Sequence, residues 1–85
     1  MTMQWSQTFL KEHRRLLQDI RFRFEKQFRL FLENPRHPSV QAKKMEGVPG
    51  VWEGRISDAY RWTFEFTPEG IRLRHIGTHD ILKSP

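Results

Sequence analysis

The sequence predicts an α+β fold: two N-terminal helices packed on a small, mainly antiparallel sheet, in the order β-α-α-β-β-β. Three features of the chain lead there. Apolar residues recur at helical spacing through the N-terminal part. Beyond Gly50 the apolar period falls to two, as in strands that bury one face. Turn sequences then cut this second half into three consecutive strands, with Ser57-Asp58-Ala59 and Pro68-Glu69-Gly70 as the breaks. At 85 residues the chain suits one domain, spanning 1–85.

Met3 to Ser6 fits a short opening strand. From Thr8 to Leu17, the positions Phe9, Leu10, His13, Leu16 and Leu17 follow a helical stripe. Ile20, Phe24, Phe28, Phe31 and Leu32 mark one face of a second helix, whose other faces carry Arg21, Arg23, Glu25, Lys26 and Arg29. Asn34-Pro35 ends it, because proline disfavours a helical residue before it. Arg36 to Gly50 reads as a connection in which Ser39 to Met45 forms either a turn of helix or an edge strand. In the strands, Trp52, Gly54 and Ile56 share a face with Tyr60, Trp62, Phe64 and Phe66. Ile71, Leu73 and His75 continue the apolar face, and Arg72, Arg74 and Ile76 take the other. The aromatic stripes are expected to form the core, because so small a domain has no other source of one.

Composition narrows the function. The chain has 15 Lys+Arg against 10 Asp+Glu, a net charge of +5 that favours polyanionic or acidic partners. It has no cysteine, which excludes disulfides, a thiol nucleophile and a thiolate metal site. There is no apolar run of the ~20 residues needed to cross a bilayer and no secretory leader, so the expected address is the cytoplasm, away from any membrane. His13, His37, His75 and His79 lack the spacing of a metal site, and no cofactor is expected. No phosphate-cradling or dinucleotide glycine motif is present, and Ser6, Ser39, Ser57 and Ser84 lack the setting of a catalytic serine.

The polar sheet face is more informative. A three-residue loop at Ser57–Ala59 pairs Gly54 with Trp62 and sets Arg55 directly opposite Arg61. A two-residue turn would mix the faces, which the sheet period forbids. Like charges placed opposite each other destabilise a strand pair. Two accounts fit: an anion sits between the arginines, or Glu53 and Glu65 neutralise them as a surface ladder. The last strand runs into Gly77-Thr78-His79-Asp80, where His79 suits proton transfer near neutrality and Asp80 could orient its ring. The plainer account is a surface histidine in a turn.

Lys44-Met45-Glu46-Gly47, then Trp52-Glu53-Gly54-Arg55-Ile56 and Tyr60-Arg61-Trp62-Thr63-Phe64, resemble the central signature of the RelE/ParE toxin superfamily. Ile76-Gly77-Thr78-His79-Asp80 resembles the Gly-Thr-His ending of YafQ-type and HigB-type members, and Leu32-Glu33-Asn34-Pro35 resembles the usual end of the second helix. The resemblance implies a toxin of a type II toxin–antitoxin pair that cuts mRNA on the ribosome without a metal. In that chemistry a ribose 2′-hydroxyl attacks the adjacent phosphate. By position, Arg61 would bind the scissile phosphate, Arg55 would take a catalytic cationic position, and His79 would be the general acid. Lys43, Lys44, Arg72 and Arg74 would hold RNA backbone. Glu53 would be a base or a neutralising partner of Arg61. The implied partners are an antitoxin, the ribosome and mRNA. Lys83 stands where many nuclease members carry an aromatic residue. The superfamily also holds ParE-like gyrase inhibitors, so a non-nuclease toxin or interaction protein of the same fold is the second reading.

Overall fold

The computed structural model describes Thr2 to Pro85. Strand β1 (Thr2–Trp5) leads into helix α1 (Gln7–Arg15) and helix α2 (Gln18–Glu33). Strands β2 (Lys43–Lys44), β3 (Val51–Arg55), β4 (Tyr60–Thr67) and β5 (Gly70–Thr78) follow, and a 3-10 helix, His79–Lys83, comes last. The strands form one five-stranded sheet in the order β1-β5-β4-β3-β2. Only β1 lies parallel to its neighbour, β5. The predicted α+β architecture is the one observed, and the short connection segment resolves as edge strand β2. No described helix is long and apolar enough to cross a membrane.

The helices cover one sheet face. Phe24, Phe28 and Phe31 of α2 stack edgewise on Trp62, with ring centroids 5.5–6.3 Å apart, and Phe9 of α1 joins them through Phe24. Edge-to-face contacts suit the ring quadrupoles and add to the burial of apolar area. Ser6 caps α1, accepting the Phe9 N–H at 2.9 Å, and its hydroxyl also donates to the Arg74 carbonyl at 2.9 Å. Helix α1 ends at Arg15, short of the expected Leu17, because Leu16 and Leu17 are both extended. Gly54 is required by the core: a Cβ there would lie 2.4 Å from the Trp62 ring.

One expectation is reversed. His75 is not on the apolar face, and Ile76 is in the core, 1% exposed. A bulge between the Thr63–His75 and Phe64–Leu73 pairs makes Arg74 an extra residue in β5, which inverts the alternation beyond it. His75 meets Glu12 instead, Nδ1 to Oε1 at 3.1 Å, and the same carboxylate oxygen accepts the Ile76 N–H at 3.3 Å. Phe66 packs on Trp52 and Phe64 but keeps nearly half its surface exposed.

The second sheet face is partly covered as well. After β5 the chain folds back, and the Pro85 carbonyl accepts from Thr63 Oγ1 at 3.1 Å and Arg74 Nε at 2.9 Å. Thr63 is fully buried beneath this segment. The cationic residues at the two ends of the face are therefore separated.

Candidate functional site

Arg55 closes β3 and Arg61 lies at the start of β4, paired directly across the hairpin. The loop between them, Ser57–Ala59, is the three-residue connection that the sheet period required. His79 follows β5 immediately, and its N–H donates to the Ala59 carbonyl at 3.2 Å. The sheet thus brings Arg55, Arg61 and His79 together around one loop, from the ends of β3 and β4 and from the residue just after β5.

Asp58 organises the cluster, and sequence reasoning had assigned it only to a turn. Its carboxylate pairs with the Arg55 guanidinium, while its carbonyl lies 3.1 Å from His79 Nε2. A carbonyl only accepts, so the proton of that contact sits on Nε2 and Nδ1 is the ring atom left free. Arg61 turns back on the loop, with Nη1 donating to the carbonyls of Ser57 and Tyr60, the latter at 2.8 Å. Partial burial lowers the Arg61 pKa, and the like charge of Arg55 lowers it further, against the opposing pull of Glu53 and Asp58. An arginine keeps its charge at neutral pH regardless, so the cost is that of holding a partly desolvated cation beside a second one.

Gln27 is the second residue that sequence reasoning missed. It is buried on α2, and its Nε2 donates to the Arg55 carbonyl at 3.0 Å and the Ser39 carbonyl at 2.9 Å. Its Oε1 accepts from the Ser39 hydroxyl at 2.9 Å. The end of β3, which carries Arg55, is thereby fastened to the helix layer. The available signal was position: Gln27 lies three residues after Phe24 and four before Phe31, a polar residue on an apolar stripe.

The remaining predicted residues are placed less centrally. Glu53 lies one pair along from Arg55, opposite Thr63, with its carboxylate mostly covered and 3.9 Å from Lys43. Lys44 sits over the Trp52 ring, 5.7 Å from its centroid. Arg72 and Arg74 share Glu65, at 3.3 and 3.1 Å, toward the other end of the face. Glu65 therefore serves the cations at the far end, while Glu53 pairs with Lys43 and also favours the charge on Arg61. Asp80 faces Lys83 at 3.7 Å, while the His79 ring contacts Asp58.

No protein-family model and no curated protein sequence matches the chain. Solved structures do. It is similar to a chain of a RelB–RelE antitoxin–toxin complex from Methanococcus jannaschii, with 17% identity over 94% of each chain and a TM-score of 0.74. A YoeB/ParE toxin from Agrobacterium tumefaciens superposes with a TM-score of 0.78 at 15% identity, covering 93% of this chain and 99% of that one. A chain of the intact E. coli RelBE toxin–antitoxin complex matches at 24% identity and a TM-score of 0.70, over 89% and 93% of the two chains. The fold of this chain is that of the RelE-like toxins.

Proposed function

We propose that the chain is the toxin of a type II toxin–antitoxin pair and acts as a ribosome-dependent mRNA endonuclease. The observation that carries this reading is the pair of directly opposed arginines, Arg55 and Arg61, with His79 beside them across one loop. Such a pair costs free energy that Asp58 and the loop carbonyls offset in part, and two guanidinium forks suit a phosphate. In the proposed reaction the ribose 2′-oxygen attacks the adjacent phosphorus and passes its proton to solvent water. The 5′-oxygen leaves with a proton, and a 2′,3′-cyclic phosphate remains.

Arg61 binds the scissile phosphate, and Arg55, released from Asp58, stabilises the added charge on its oxygens. His79 protonates the leaving 5′-oxygen as general acid, after its ring turns from the Asp58 carbonyl. Glu53 is proposed as a charge partner rather than the base, since its covered carboxylate faces Lys43. Lys43, Lys44, Arg72 and Arg74 hold RNA backbone on either side. An antitoxin is the proposed protein partner, as the solved relatives in complexes suggest.

The test is induced expression in a bacterial host with primer extension on a defined translated message. Arg61→Ala and His79→Ala, verified as folded by circular dichroism, are expected to abolish both growth arrest and in-frame cuts. A second reading, a toxin of this fold that cuts no RNA, draws on the internal pairing of Arg55 with Asp58 and of Arg61 with loop carbonyls. It predicts growth arrest without cuts, unchanged in both variants.

A further inference from the structure

The Ser57–Ala59 loop has a second side, toward helix α2. There helix and loop enclose a polar cleft of about 280 Å³, lined by Arg23, Gln27, Ser39, Arg55, Ser57 and Asp58. A neighbouring depression of about 320 Å³ shares Arg23 and Gln27 with it and adds Lys26. Gln27 is buried, and its amide is tied to the carbonyls of Ser39 and Arg55, so this part of the lining is set before any ligand arrives. Arg23 and Lys26 stand one helical turn apart on α2, and both are exposed. Among the described residues no ion pair reaches either of them, although Asp19 lies one turn before Arg23. Like charges at this spacing repel each other, and Arg29 extends the run by a further turn. The one carboxylate of the cleft, on Asp58, is already paired with Arg55, which leaves Arg23 and Lys26 unmatched.

We propose that this cleft is a second phosphate subsite, which takes the RNA phosphate next to the one held by Arg55 and Arg61, with Arg23 and Lys26 as its cations. The proposal rests on the reading of the arginine pair given above. RNA carries one negative charge per nucleotide, so a strand seated at the pair brings a further phosphate to the loop on one side or the other. A guanidinium fork with an ammonium beside it suits that group. Arg55 and Asp58 belong to both places, so the strand has only to pass around the loop to reach from one to the other. An acidic peptide fits less well: the apolar residue of the cleft, Ile56, is buried, so a peptide finds no pocket for an anchoring side chain. Because the cleft lies on one side of the arginine pair only, it also fixes the direction in which the strand runs. Arg23 and Lys26 are thereby binding and positioning residues, without contact to the reacting atoms.

The experiment titrates the full chain, isotopically labelled for magnetic resonance, with 2′-O-methylated dinucleotides that the proposed reaction cannot cut. Three forms are compared: one with both ends free, one with a 5′-phosphate and one with a 3′-phosphate. The expected result is that one terminal phosphate, and not the other, tightens binding about tenfold or more and shifts the Arg23 side-chain signal. The double variant Arg23→Gln/Lys26→Gln is expected to lose that gain while binding the unphosphorylated dinucleotide as the parent does, which also shows that it is folded. An equal gain from both phosphates is general attraction to a cationic surface and overturns the proposal. So does a gain that persists in the double variant. Failure of the two readings remains distinguishable. If the unphosphorylated dinucleotide leaves the Arg55 and Arg61 signals unmoved, the reading of the arginine pair falls, and the subsite with it. If those signals move and neither terminal phosphate adds affinity, the subsite alone falls.

Discussion

Gly54 shows how much one residue can carry, since it is the seat of the Trp62 ring on β3. In Gly54→Ala the new methyl meets ring atoms at 2.4–2.6 Å, and neither the fully buried ring nor the strand backbone has room to yield. We expect a loss of about 1–3 kcal/mol in urea denaturation. His13 makes a different point. Burial, then the charge of Arg21, holds its pKa below the ordinary histidine value, with Glu25 opposing. As pH falls, the unfolded chain therefore takes up this proton first. The stability contributed by neutral His13 is complete above about pH 6.5 and declines below it, as the folded state is forced to accept the charge. The urea midpoint should fall between about pH 7 and pH 5, and less steeply in His13→Gln than in the parent chain. Arg55 and Arg61 were legible from turn length and period alone. Asp58 was not, because a turn aspartate is ordinary until the loop's curvature aims it at Arg55.

At the scale of elements, the loop-bearing end of β3 is fastened to α2 by Gln27. Replacing it by leucine preserves bulk while leaving the Arg55 and Ser39 carbonyls short of a donor. The expected cost is about 1–3 kcal/mol of stability. If the tether also positions Arg55, Gln27→Leu should cut RNA more slowly even at temperatures where circular dichroism shows it fully folded. Equal cutting by folded Gln27→Leu would reduce Gln27 to a packing role. The elements themselves followed from periodicity, apart from the early end of α1 at Arg15 and a failure in β5. A bulge depends on how two strands meet, so a period counted along one strand carries through it unchanged and misplaces everything beyond. His75 and Ile76 exchanged faces for that reason.

Over the whole molecule, charge is divided between two ends of the polar face by the segment that runs back to Pro85. RNA held at both ends should show steep salt dependence, with affinity for single-stranded RNA falling as salt rises, by a slope of about −0.7 per phosphate contacted. Alanine at Lys43 or at Arg72 should each reduce the slope by about one contact and weaken all sequences alike, as measured by fluorescence titration at several salt concentrations. Arg61→Ala should weaken binding modestly yet slow cutting by about 10²–10³-fold, the loss typical of removing one group aimed at developing charge. A fall in binding equal to the fall in cutting would place Arg61 among the backbone contacts instead.

By itself the sequence determined the layer architecture, the hairpin register and the opposition of Arg55 to Arg61. All three follow from local rules: apolar period, turn length, and the requirement that one sheet face be buried. The tertiary structure alone decided what surrounds those arginines. Asp58, Gln27 and His79 reach the site from a loop, a helix and the end of another strand, and their convergence depends on how distant segments pack. It alone also decided that one sheet edge is guarded by lysines and the other left bare. Which strand stands outermost is a property of the assembled sheet, carried by no single stretch of chain.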